Sequence, residues 1–287
     1  MKKESAGGCP FSSDWGSPNV SKVGDLTYND YLKIPDLLKL QIPQSSPPHH
    51  DELLFIIIHQ AYELWFKLIL HELDNTVSYM QKNEILRAQH FVKRVVEIMK
   101  LLVSQIHILE TMTPIEFLEF RNHLMPASGF QSLQFREIEF LLGLKDERYF
   151  HFFKNSPEIL QKLTERLNKP DLYSVYFQML RNLGYSVPSD PQNEKNNTKT
   201  LQALLPIYQN PEKNLPLYLL TESLVELDET LALWREHHVR VVERIIGFKK
   251  GTGGSSGVEY LKSTTSKKCF PALLEVRTIL EKPEKKE

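Results

Sequence analysis

The sequence of 287 residues holds only two cysteines, Cys9 and Cys269. They stand far apart and without metal-ligand spacing, which excludes a disulfide-stapled scaffold and a thiolate metal site and makes a reducing cytoplasm the expected home. An excess of one charge is also lacking. Thirty-five basic residues face 36 acidic ones, a formal net charge of -1, so neither nucleic acid nor an anionic membrane surface is an expected partner. The opening residues MKKESAGGCP have no apolar core, so no signal peptide is expected. The longest uncharged apolar run, Leu53 to Tyr62, reaches about half the length needed to span a bilayer. No alternating apolar and polar stretch of useful length occurs, which speaks against a sheet, and there is no internal repeat.

What is present is helical periodicity. At 41% hydrophobic and 25% charged residues, the chain can bury a full core. Asp51 to Asp74 (DELLFIIIHQAYELWFKLILHELD) is apolar nearly all round, as expected of a buried helix. Prolines precede it, and Asp51 and Glu52 put negative charge at its first turn. Further helices are expected over 85–111, 114–124, 132–144, 157–168, 171–183, 215–248 and 271–280. Tyr28, Tyr31 and Leu32 lie on one face of a shorter one that Pro35 interrupts. Residues 186–200 are polar and read as a loop. The expected fold class is all-α, a multi-helix bundle. The expected organisation is a flexible segment over 1–25, one all-helical domain over 26–281 and a charged tail over 282–287.

Two histidines sit mid-helix on apolar faces, His59 in the first long helix and His238 in the last. A lone buried histidine is more often a hydrogen-bonded core residue than a ligand. The functional alternative is a neutral imidazole binding a metal or haem. No histidine has glutamate three residues before it, which disfavours a carboxylate-bridged di-iron bundle. His59 and Glu63 are spaced i, i+4, but no further zinc ligands are apparent. Haem needs one protein ligand and an apolar slot between helices. Arg121, after PIEFLEF and before the turn MPASG, is either a surface residue or a bidentate partner for a substrate carboxylate. The stretch GTGGSSG over 251–257 lacks the following lysine and preceding strand of a phosphate-binding loop. It reads as a flexible helix end or as a mobile lid.

Taken together, FIIIHQAYELWFKLILHELD, LEFRNHLMPASGFQSLQFR, HVRVVERIIGFKKGTGGSSGVEYLKST and LTYNDYLKIPDLLKLQ resemble, in order and over nearly the whole chain, the tryptophan 2,3-dioxygenase family. The resemblance implies an all-helical bundle enclosing a haem pocket. It implies haem b, ferrous in the active form, with His238 as axial ligand and the adjacent His237 excluded by its distance from Thr252. It places the distal histidine on His59, the pocket aromatics on Phe55 and Phe117, the carboxylate-binding arginine on Arg121, a serine near the haem on Ser128 and a threonine near the substrate ammonium on Thr252. Some relatives carry tyrosine where Phe117 stands, so a hydrogen bond is lost here. Tyr28, Tyr31 and Leu32 fall where N-terminal residues line a neighbouring subunit's pocket, in a homotetramer. The implied activity inserts both atoms of dioxygen across the indole C2–C3 bond of L-tryptophan to give N-formyl-L-kynurenine, the first step of the kynurenine pathway. The alternatives are a haem monooxygenase of an indole or modified tryptophan, and a non-enzymatic haem sensor or helical interaction module.

Overall fold

A computed structural model describes residues 26–253 and 256–281. The segment 1–25, expected to be flexible, and the tail 282–287 lie outside the described residues. The chain divides into two compact units, one ending at Ile42 and the other running from Pro43. In the first, α1 (Tyr28–Leu32) is opened by a capping box between Thr27 and Asp30, and α2 (Ile34–Leu37) follows. The break between them falls at Lys33, which adopts a left-handed conformation (φ 54°). Pro35 does not interrupt a helix but lies in the first turn of α2, where its missing N–H costs nothing.

The second unit is all-α, and among the described residues there is no strand. Its helices are α3 (His50–Gln81), α4 (Ile85–Leu109), α5 (Pro114–Arg121), α6 (Leu133–Leu141), α7 (Pro157–Asn168), α8 (Leu172–Asn182), α9 (Asn197–Gln209), α10 (Leu215–Ile246), α11 (Val258–Thr265) and α12 (Pro271–Glu275). Helix α4 packs between α3 and α10. Its Ala88, Val92, Val95, Met99, Leu102, Ile106 and Leu109 form the i, i+3, i+4 stripe that this position requires, and all are buried. Helix α10 answers with Leu217, Leu220, Leu224, Leu227, Leu231, Trp234, Val241 and Ile245. Each such large side chain contributes about 1.5–3 kcal/mol on burial, so the three-helix core is the rigid frame of the site. Helices α6 and α8 also pack on α3, and α5 touches both α3 and α10.

Several expectations need correction. Helix α3 is not buried all round: Leu53, Ile57 and Leu64 are 45%, 47% and 55% exposed. By length and composition it could cross a membrane, yet its buried face carries Asp51, Glu52 and Glu72 and packs on α4, α6 and α8, as the helix of a protein core does. The expected loop over 186–200 already contains the first turn of α9. Pro206 lies inside that helix, which costs about 3 kcal/mol of helical stability, and burial of Leu201, Ala203, Leu204 and Ile207 offsets it. Helix α11 is too short and polar for its periodicity to announce it.

Candidate active site

Long helices α3 and α10 are brought together with α5, α6, α11 and the 250s loop around one cavity of about 300 Å³, a volume suited to a small ligand or part of a larger group. Most of its wall is apolar: Phe55, Phe66, Ile106, Leu109, Met112, Phe117, Phe135, Trp234, Val241 and Ile245 all contribute. His59 and His238 both border it. The His59 ring lies against the Phe55 ring at 4.1 Å, and its Nδ1 donates to the Phe55 carbonyl at 2.7 Å. A carbonyl can only accept, so the neutral ring presents Nε2 as an acceptor. His238 stacks on Trp234, one turn earlier on α10, at 5.3 Å and 24°. By accessible surface His59 is exposed and His238 half-buried, yet protein atoms crowd both rings where they border the cavity. Burial pushes His238 down to about 4, with the nearby His59 adding to the effect. Burial also lowers His59, partly offset by the Phe55 carbonyl and the Glu63 carboxylate. Both rings are therefore neutral near pH 7, the form that binds a metal or accepts a proton.

At the mouth, α5 is started by a capping box in which Thr113 and Glu116 exchange hydrogen bonds and ends at Arg121. Phe117 and Phe120 pack edge to face at 5.4 Å and both lie 5.7 Å from Phe55. Arg121 points across to the 250s loop, where its Nη2 donates to the Lys250 carbonyl at 2.6 Å. Thr252 donates through Oγ1 to the Ala127 carbonyl at 2.6 Å, so the loop is seated on the turn that carries Ser128. Glycine is needed for that approach: a Cβ at Gly253 would lie 2.6 Å from the Ser128 Cβ. At Gly257 a positive φ of 67° and a Cβ position 2.6 Å from the Lys249 carbonyl oxygen exclude any side chain.

One cavity wall is charged. Glu139 on α6 lies 2.7 Å from Arg235 Nη2 and 2.6 Å from Arg136 Nη1, all three residues being buried. Arg136 also covers the Tyr149 ring at 4.0 Å. The Arg136–Glu139 contact is an ion pair without hydrogen-bond alignment, which leaves Arg136 Nε and Nη1 without acceptors. Among the described residues six buried side-chain polar atoms lack a partner. Five of them belong to residues lining this cavity, and four of those five are donors: Arg121 Nε, Arg136 Nε and Nη1, and Trp234 Nε1. Arg136 Nη1 still faces the Glu139 carboxylate at 2.6 Å and Trp234 interacts with the Tyr62 side chain, so the unmet donors left for an anionic group are Arg121 Nε and Arg136 Nε. No group of three or more metal-ligating side chains occurs among the described residues. Two imidazoles, either of which could serve as a lone axial donor, stand in an apolar slot with donors at its edges, a lining that fits haem.

Of the residues singled out in the sequence, Phe55, His59, Phe117, Arg121, Ser128, His238 and Thr252 all line the cavity. Tyr28, Tyr31 and Leu32 lie on α1 in the first unit, 73%, 72% and 41% exposed. His237, the neighbour of His238, turns outward to pack its ring 5.6 Å from His107. The sequence reading missed the Arg136–Glu139–Arg235 cluster, Tyr149, Tyr260 and the site role of Trp234. A signal existed for one pair, since arginine and glutamate spaced i, i+3 on the apolar α6 face cannot both reach solvent.

The comparisons with known proteins point to one family. The profile of the tryptophan 2,3-dioxygenase family matches residues 12–193 and 191–280. A tryptophan 2,3-dioxygenase of Herpetosiphon aurantiacus is 47% identical over 263 residues, covering 89% of this chain and 98% of that protein. Another, from Nocardioides sp., is 46% identical over 89% of this chain and 95% of its own. A third, from Myxococcus xanthus, is 42% identical over 91% and 92%. With the family profile covering nearly the whole chain and relatives of this identity aligned almost end to end, the chain belongs to the tryptophan 2,3-dioxygenase family.

Proposed function

We propose that the protein is a haem-dependent dioxygenase that opens the indole ring of L-tryptophan, using dioxygen, to give N-formyl-L-kynurenine, the first step of tryptophan degradation by the kynurenine pathway. The observation that carries this reading is the pairing of two neutral imidazoles, His59 and His238, on one apolar cavity in a chain of this family. His238 is the residue that would hold the iron of haem b, and Arg136 and Ser128, which also line the cavity, would bind its carboxylates. When bound in the ferrous form, haem supplies the one-electron chemistry by which dioxygen reacts with the indole C2–C3 bond, and because both oxygen atoms end in the product no reductant is consumed per turnover.

The remaining roles belong to the chain itself. His59 Nε2 accepts the indole N–H and so fixes the ring edge presented for reaction. Phe55 and Phe117 give the ring an apolar slot that excludes water. Arg121 binds the substrate carboxylate, turning from the Lys250 carbonyl to do so, and Thr252 receives the ammonium end. The loop, seated on the 125–129 turn through Thr252 and Gly253, closes the mouth. Residues 26–281 act as one catalytic domain. In a homotetramer, α1 of one subunit would complete a neighbour's pocket with Tyr28, Tyr31 and Leu32, which accounts for aromatic side chains so exposed on a single chain. The outward Leu53, Ile57 and Leu64 of α3 suit burial in the same assembly. The near-neutral charge and scarce cysteines suit a cytoplasmic enzyme.

The deciding experiment is the product mass formed when reduced, haem-loaded protein meets L-tryptophan and dioxygen. Gain of two oxygen atoms is expected. Gain of one would make the protein a monooxygenase, and no product with haem bound would leave a sensor.

A further inference from the structure

Glu63 borders the cavity but has no part in the roles above. It stands one helical turn after His59 on α3, and its carboxylate is gripped from α6 and the residue before it. Ser132 Oγ donates to Oε1 at 2.6 Å, and Gln134 Nε2 donates both to Oε2 and to the Glu63 carbonyl oxygen, each at 2.8 Å. Ser132 is itself held, since it accepts the Phe135 N–H as the cap of α6. All of these donors are neutral, and among the described residues no cation pairs with Glu63. A charge kept on a cavity wall without a counter-charge is costly. If Glu63 served only to tie α3 to α6, a glutamine amide could do so more cheaply.

The charge has a target. Around the cavity stand Arg121 on α5, Arg136 and Glu139 on α6, and Arg235 and His238 on α10. Glu139 is neutralised by its two arginines. Glu63 is the carboxylate whose charge favours a proton on His59. We propose that Glu63 is a positioning residue for ring opening: its pinned carboxylate polarises the His59 imidazole so that Nε2 accepts the indole N–H more strongly as the reaction proceeds. The proposal rests on His59 being the acceptor of that N–H. As the proton shifts toward Nε2, positive charge grows on the ring, and a fixed negative charge one turn away stabilises it without any reorganisation.

The test compares haem-loaded wild type with Glu63→Gln, Glu63→Asp, Ser132→Ala and His59→Phe. Readouts are kcat, KM and the acid limb of kcat/KM against pH, together with the anaerobic Kd of L-tryptophan by calorimetry. Glu63→Gln is expected to lower kcat by about fivefold, because only a fraction of a full charge develops on the ring and a full charge pair at intermediate dielectric would cost more. It should also move the acid limb to lower pH and leave Kd nearly unchanged. Glu63→Asp keeps the charge at a greater distance and should shift the limb less, in the same direction. Ser132→Ala keeps the charge and loosens the grip, so it should lower thermal stability without moving the limb. If Glu63→Gln leaves kcat and the limb where they were, or changes only Kd or stability, the proposal is overturned. Should Glu63→Gln not fold, an unmoved limb in Glu63→Asp overturns it equally. His59→Phe separates the two levels: a loss there without one in Glu63→Gln defeats only the role of Glu63, whereas no loss there defeats the acceptor role of His59 itself.

Discussion

Replacing Arg121 by alanine removes the guanidinium proposed to bind the substrate carboxylate. Without substrate that group makes one hydrogen bond, from Nη2 to the Lys250 carbonyl, while its buried Nε has no acceptor. A carboxylate arriving at the mouth therefore meets a donor already desolvated and unmet, which is where a charge-assisted bond is strongest. Losing one such bond is worth about 1.5–3 kcal/mol, so kcat/KM for L-tryptophan should fall by about tenfold to 150-fold. The substitution also frees the loop from its Lys250 tether, and that alone could slow the enzyme. Tryptamine, which has the indole and the ammonium but no carboxylate, isolates the two effects. Loop loosening acts on both substrates, whereas carboxylate binding acts only on tryptophan. Initial rates for both, measured by quantifying product by mass spectrometry, give the ratio of the two kcat/KM values. That ratio should collapse in Arg121→Ala. Equal losses for tryptophan and tryptamine would remove the carboxylate from Arg121 and leave the residue as a loop tether.

Four further outcomes follow from the same geometry. His238→Ala should abolish the haem absorbance of the purified protein while its far-ultraviolet helical signal persists; retained haem would move the axial ligand elsewhere. In the haem-free protein, the depressed His238 sets a direction for acid sensitivity. The unfolded ring protonates as pH falls through 6.5, while the folded ring resists until about 4. Stability is therefore full above 6.5 and is lost over that window, by about 3 kcal/mol from this group, and a chemical-denaturation series across pH that is flat there would contradict the burial argument. Glu139→Ala strands Arg136 and Arg235 in the interior, at a cost of about 3–5 kcal/mol, which in a domain of this size is a fall in Tm of about 6–20 °C; an unchanged melting curve would mean the arginines find other partners. Gly253→Ala places a Cβ against Ser128 and should raise KM by lifting the loop, with no change in melting temperature.

The helices were legible where burial imposes a period over many turns, as on α4 and α10, because a stripe of seven or eight apolar residues leaves little else for the backbone to do. Legibility failed where that period is short or broken. Helix α11 has eight residues, and α9 hides behind a polar lead-in and a mid-helix proline that only tertiary packing excuses. In the site, residues of unusual type in an apolar setting stood out: a histidine within FIIIHQAYELWF invites a question that its neighbours cannot answer. Of the charged wall only the i, i+3 spacing of Arg136 and Glu139 on α6 offered a signal, and nothing local says that Arg235 of α10 turns inward to meet them. Their burial goes with the ion pair that Glu139 of α6 makes with Arg235 of α10. The same holds for Glu63. Its spacing from His59 is visible in the sequence as a poor metal pair, and only the structure shows the grip of Ser132 and Gln134, sixty-nine and seventy-one residues away. What sequence spacing can propose is which groups share a helix face. What it cannot supply is the partner from elsewhere in the chain that holds a group in place.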